Sequence, residues 1–250
     1  MSNTPNTTTQ NPSDHKPRPM IDLLVSIVIP SFILMKLSGD EALGATAALL
    51  VALAFPLGWG LFERLQYKKF NFIALLGLIS VLLTGGIGLL QLDPQWLAIK
   101  EAAIPGLIGF AVLVSTRTRY PLIKTLLYNP AVMNVDKIKQ KLDSLGNTAA
   151  FEARLMNATY LLSSTFLFSA TMNYILAKWI VTSASGSSAF NEELGRMTLL
   201  SYPVIVIPSM IMMMAIFYYL WRAIHGMTGL KLEEVLVTHR SDANHDNASN

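Results

Sequence analysis

The sequence predicts an all-α membrane protein, a polytopic bundle of six transmembrane helices with both termini in the cytoplasm, and three observations lead there. Of its 250 residues 52% are hydrophobic and only 14% charged, with mean hydropathy +0.43, too apolar for an ordinary soluble domain. Apolar runs recur at the length that crosses a hydrocarbon core, roughly 20 residues at about 1.5 Å per residue. Finally, Lys and Arg alternate between loops: fifteen fall on the side of the termini and four, Lys36, Lys100, Lys178 and Arg196, on the other. Basic residues favour the cytoplasmic side, which fixes the orientation.

In chain order, residues 1–20 are rich in Asn, Thr and Pro and have no apolar periodicity, so they form a disordered cytoplasmic tail. The first span, Ile21 to Leu37, follows Lys16 and Arg18 as a signal peptide's apolar core would. No small-x-small cleavage site follows Leu37, so it remains an anchor. The other spans are Ala42 to Phe62, Phe70 to Leu90, Leu97 to Ser115, Leu155 to Val181 and Leu199 to Trp221. Residues 21–222 thus make one transmembrane domain, interrupted by a cytoplasmic loop over 116–154, and residues 223–250 a cytoplasmic C-terminal tail.

The long loop has its own pattern. Val135, Ile138, Leu142 and Leu145 recur at helical spacing, Asn134 or Asp136 can cap the start, and Gly146 suits the end. An amphipathic helix follows, docked on the rim of the bundle or offered to a partner, with Lys137, Lys139 and Lys141 on its polar face.

Within the spans, Pro30, Pro56, Pro105, Pro203 and Pro208 are candidate helix breaks, read either as kinks or as the discontinuities with which transporters expose backbone to a solute. Gly58, Gly60, Gly77, Gly85, Gly86 and Gly88 let helices approach closely; an unwound Gly-Gly-Ile-Gly is the alternative.

Ionisable groups at the membrane margin carry the strongest functional signal, because an unpaired buried charge is costly. Lys100 and Glu101 open the fourth span, where a lysine opposes the helix dipole and wants an anion. Asp93, Glu192 and Glu193 are its candidate partners; Glu192 and Glu193 also stand one helical turn before Arg196. With Trp96 these residues form a candidate periplasmic polar cluster, or else an interfacial ring of anchors. Two further polar candidates are intramembrane: Asp22, a charge at a helix N-terminus, and Asn173, expected to bond a neighbouring helix. Met210 and Met214 sit one turn apart, the spacing of a soft Cu(I) site or of ordinary flexible packing.

The composition argues against other classes. There is no cysteine, so no disulfide or thiolate chemistry; net charge is only +3, dispersed among short loops, which argues against nucleic acid. All four histidines (His15, His225, His239, His245) lie outside the spans, and no nucleophile-base pairing, phosphate loop or metal-ligand spacing is present. Neither an enzyme nor a cofactor or metal is expected.

The order of features resembles the intracellular septation protein A family of bacterial inner membranes. The likeness is carried by ATAALLVAL in the second span, Gly85-Gly86 near the end of the third, Trp96 and Lys100 opening the fourth, LVS at its close, then PLIK, and Asn173 followed by AKW in the fifth. It covers roughly residues 30–128 and 155–222; the loop around 129–150 and the NEELGRM segment depart from the family's pattern. The resemblance implies an envelope- and septation-associated protein acting by association with other membrane proteins in the bilayer, and it is compatible with a homo-oligomer. This longer form looks like chains sometimes grouped with major facilitator transporters, so a small secondary transporter with a periplasm-facing polar site is the alternative. A cavity reaching the middle of the bundle would favour the transporter, and a solid core the partner-binding protein.

Overall fold

Segments apolar on nearly every face cannot leave backbone polar groups unpaired in hydrocarbon, so each folds as a helix that satisfies its own. The computed structural model describes residues 24–67, 72–118, 122–123, 128, 130 and 133–236. It is all-helical, with no strand among the described residues. The helices are α1 (Leu24–Lys36), α2 (Gly44–Tyr67), α3 (Phe72–Leu89), α4 (Gln95–Ser115), α5 (Val135–Ser144), α6 (Thr148–Ile180), α7 (Ser188–Thr228) and the single turn α8 (Leu232–Val235). The N-terminal tail and Asp22 lie outside the described residues.

Three helices are long and apolar enough to cross a membrane, Gly44–Phe62 within α2, α4 and α7, which points to membrane association. Leu24–Lys36 and Ile79–Leu89 are shorter apolar helices. The longer α6, with 33 residues, interleaves its apolar residues with Asn157, Ser163, Ser164, Thr165, Ser169, Thr171 and Asn173.

None of the five prolines interrupts its helix, so of the two readings the discontinuity is the one the structure does not have. Pro56 and Pro105 lie inside continuous helices. Pro30 follows a π-wound turn, Leu24–Val28. Pro203 lies within a second, Tyr202–Val206, and Pro208 just beyond it, and α7 runs through unbroken for 41 residues. A proline deletes one donor, and a locally widened turn absorbs the loss without ending the helix. The NEELGRM segment is accordingly the start of α7, capped by Ser187, whose Oγ accepts from the Phe190 N–H at 3.0 Å.

Small residues set the closest approaches. A Cβ on Gly195 would stand 2.8 Å from the Ser31 carbonyl oxygen and 2.9 Å from Met35 Cγ, which locks α1 along the first half of α7. Gly85 and Gly88 seat Leu53 and Leu49 of α2, at 2.6 and 2.5 Å from where a Cβ would be. Gly58, Gly60 and Gly86 face open space. Helix α3 continues through Gly-Gly-Ile-Gly to Leu89, so the segment is not unwound. The most extensive packing joins α4 to α6, antiparallel, with Gly106 against Ala170 and the Ser163 hydroxyl donating to the Gly109 carbonyl at 2.8 Å.

Buried apolar side chains fall into two clusters at opposite ends of this pair. One gathers Leu97 of α4, Leu176 of α6, and Phe190, Leu194 and Ile205 of α7 with α1 and α2. The other gathers Val112, Leu155, Leu162, Ile216, Leu220 and Ile224 with α5 and α8. Neither cluster includes a residue of α4 between Ala98 and Val112, or of α6 between Phe166 and Met172.

Helix α5 forms where its apolar stripe predicts. Asn134 caps it by accepting from the Lys137 N–H at 3.3 Å, and Gly146 follows at φ 69°. Ile138 and Leu142 are buried on the second cluster, so α5 docks on its own chain; Leu145, assigned to the same stripe, points outward. The C-terminal segment is not a tail throughout. Helix α7 ends at Thr228, Gly229 turns the chain at φ 72°, and Met133 forms a bridge with Leu236. The Asn134 N–H donates to the Val235 carbonyl at 2.8 Å, latching the end of the chain to α5.

Candidate functional site: a polar cleft between the two apolar clusters

Asp93 Oδ1 accepts the Gln95 N–H at 2.8 Å and starts α4, which presents Lys100 and Glu101 on its second turn. Successive helix positions lie about 100° apart, so the two side chains leave α4 in different directions and meet only at their charged tips. Lys100 turns to α3. Its Nζ lies 2.7 Å from Thr84 Oγ1, 3.1 Å from Ser80 Oγ and 3.5 Å from the Ser80 carbonyl. The Thr84 hydroxyl spends its own proton on the Ser80 carbonyl at 3.0 Å, leaving its lone pairs for the ammonium. The fourth contact is Glu101 Oε1 at 2.6 Å. The Lys100 side chain is 9% exposed and that of Glu101 25%, a largely buried ion pair in which every lysine proton has an acceptor.

The expected partners of Lys100 are engaged elsewhere. Asp93 caps α4. Glu192 pairs with Arg196 at 3.1 Å along an exposed face of α7. Glu193 accepts the Thr182 and Ser183 N–H groups, both at 2.9 Å, and their hydroxyls at 3.3 and 2.8 Å, closing the α6–α7 connection. Trp96 is exposed. The seven-residue cluster thus resolves into a pair at Lys100 and Glu101, a surface pair at Glu192 and Arg196, two carboxylates bound to backbone N–H groups, Asp93 and Glu193, and an exposed tryptophan. The reason is distance along the chain: a neighbour on the same helix reaches Lys100 without any tertiary alignment.

Asn173 bonds its own helix, not a neighbouring one: Nδ2 donates to the Ser169 carbonyl at 2.8 Å and to Ser169 Oγ at 3.3 Å. Met210 and Met214 are both exposed and belong to neither apolar cluster of the described residues.

Two cavities flank Glu101 and Asn173. A cleft of about 320 Å³ is lined by Ser80, Lys100, Ile104, Pro105, Ile108, Phe166 and Ser169 together with those two residues. It runs from the buried pair past the midpoint of α4. On the other side of Glu101 and Asn173 lies a smaller cavity of about 150 Å³, completed by Leu176, Met197, Thr198 and Ser201. An ammonium at the head of a slot walled by Ile, Pro and Phe suits a small amphipathic anion, since the walls take an apolar tail while Lys100 takes the charge.

Several of these residues carry no signal that a sequence reading used. Ser80 and Thr84 are one turn apart and share a face with no other polar residue beside them, a pattern that could have been read as a polar stripe on the third span. Asn191 is wholly buried and ties α7 to α1 and α2 through Ser38 Oγ at 3.1 Å and the Ala45 carbonyl at 2.7 Å. Its position inside an apparently exposed charged segment concealed it. Comparison with family models, curated proteins and solved structures gives no match.

Proposed function

We propose that this is a multi-pass protein of the bacterial inner membrane, both termini cytoplasmic, that binds a small amphipathic carboxylate at Lys100 in the manner of a small secondary transporter. The observation that carries this is the cleft itself: a buried, fully hydrogen-bonded ammonium opens onto about 320 Å³ of space that reaches the middle of α4. Charged groups at that depth are rarely retained without a task. The solute's carboxylate would exchange with Glu101 for the ammonium, which Ser80 and Thr84 hold in place meanwhile. The test is a melting-temperature titration of detergent-purified protein with straight-chain carboxylates from acetate to hexanoate. Stabilisation should grow with chain length and vanish in Lys100→Met; a flat response across the series refutes the reading. Reporter fusions after residues 92 and 187 should read periplasmic, and those after 66, 145 and 235 cytoplasmic.

A second reading rests on the shared order of features with the septation protein A family, under which the work of the chain is association with envelope proteins. Cross-linked membranes from cells carrying the tagged protein would then yield septation partners, and Lys100→Met would leave that recovery unchanged.

A further inference from the structure

The smaller cavity has a chemistry of its own. Four of its lining side chains carry oxygen: Glu101, Asn173, Thr198 and Ser201. Their donors are already committed to helix backbone. Thr198 Oγ1 donates to the Leu194 carbonyl at 2.9 Å, Ser201 Oγ to the Thr198 carbonyl at 2.7 Å, and Asn173 Nδ2 to the Ser169 carbonyl at 2.8 Å. What remains for the cavity is lone pairs: two hydroxyl oxygens, the Asn173 carbonyl oxygen, and the carboxylate oxygen of Glu101 that does not face Lys100. A space edged by acceptors cannot be satisfied by another acceptor, and oxygen ligands around one carboxylate are what a hard cation selects. The cavity also ends where α7 passes into its π-wound turn, Tyr202–Val206, a winding found often at functional sites.

We infer that the cavity between α4, α6 and α7 binds a monovalent cation such as sodium through Glu101, Asn173, Thr198 and Ser201. A divalent ion would want more than one carboxylate there, and a transition metal would want nitrogen or sulfur.

Glu101 lines both cavities, and this couples them. With the sites vacant, Lys100 and Glu101 neutralise each other. A cation alone would leave two positive charges against one negative in a poorly solvated place, and an anion alone the reverse. Bound together, the carboxylate solute answers Lys100 and the cation answers Glu101, so each ligand raises the affinity for the other by the same factor. This coupling rests on the carboxylate reading of the larger cleft; the cation site does not.

The experiment titrates detergent-purified full-length protein with NaCl against choline chloride at constant ionic strength, reading melting temperature, with and without saturating hexanoate. Sodium should stabilise the protein. Glu101→Gln and Ser201→Ala should each weaken the apparent sodium affinity by about tenfold or more, the loss of one ligand interaction of about 1.4 kcal/mol. Thr198→Val, which keeps the side-chain shape, gives the same readout should Glu101→Gln not fold. Hexanoate should shift the sodium midpoint to lower concentration. Equal stabilisation by choline, or a sodium response unchanged in Ser201→Ala and Thr198→Val, overturns the cation site. A response that tracks pH and ignores sodium also overturns it, in favour of a proton. A sodium site that holds while hexanoate leaves its midpoint unmoved overturns the coupling and the carboxylate reading but not the site.

Discussion

Two lysine-glutamate pairs occupy opposite ends of this molecule. Lys100 and Glu101 are adjacent in sequence, 2.6 Å apart and 9% and 25% exposed; Lys137 and Glu234 are separated by nearly a hundred residues, 2.9 Å apart and 46% and 40% exposed. Charge and distance are alike, and the surroundings differ. At the exposed pair, water solvates both ions whether or not they meet, so the bond adds little to stability. At the buried pair, each partner is what makes the other tolerable, and removing one strands a charge at a cost of about 3–5 kcal/mol. The exposed pair trims a latch that apolar burial already holds. The buried pair is the feature around which α3, α4 and the cleft must be arranged.

The largest effect therefore belongs to Lys100. Lys100→Met and Glu101→Gln should each destabilise the purified protein by about 3 kcal/mol, and the double variant by much less than their sum. Losses that add in denaturation of all three variants would show that the two residues act separately.

Next in size is the latch, where the comparison predicts that apolar contacts dominate. Leu142→Asp places a charge on the buried face of α5 and should cost about 3 kcal/mol locally, raising protease cleavage between residues 130 and 147. Unchanged cleavage would mean that α5 is not held by Ile138 and Leu142.

The smallest effect is at the exposed pair. Lys137→Met should leave the melting temperature nearly unchanged, and more so at high salt. The Lys137 side-chain bond, followed by the Lys231 N–H at 2.9 Å, holds the Glu234 carboxyl below its usual range. A lowered carboxyl contributes stability that is present above the ordinary carboxylate pKa and is lost as pH falls through the depressed value. Latch cleavage should accordingly rise only in acid, and Lys137→Met should flatten that rise; a rise at neutral pH would contradict the assignment.

At the basic end the sign reverses. Burial first, then Asp136 and Asp143, push the Tyr128 hydroxyl from 10.0 up to about 12. Tyr128 packs edge-on to Phe151 with ring centroids 5.3 Å apart, so its stabilising share is intact below pH 10 and is lost between pH 10 and about 12. Tyr128→Phe should remove that alkaline step from the cleavage profile.

The two ends also differ in how far the sequence foretold them. Helix α5 stands in water on one side, so its apolar stripe is visible against Lys137, Lys139 and Lys141, and the stripe located both the helix and its buried face. In the long apolar helices that contrast is missing. Side chains facing lipid and side chains facing the bundle are equally apolar, so composition gives the length of a helix but not which face turns inward. Ser80 and Thr84 are illegible for that reason, whereas Asn191 is hidden among the charges of its own segment, and Lys100 finds its acid in its chain neighbour where the sequence pointed to other elements.

The sequence by itself determined the helical class, the rough places of the apolar helices, a cap at Asn134 or Asp136 and the demand of Lys100 for an acid, because these follow from length, hydropathy and local hydrogen bonding. Tertiary structure alone decided that the prolines would be absorbed without breaks, that residues 230–236 would return to α5, and that Glu101 and Asn173 would stand between two cavities. Those outcomes depend on how whole helices rotate and approach one another. That is settled by close contacts such as Gly109 on Phe166 and Gly195 on Ser31, which no short window of sequence contains.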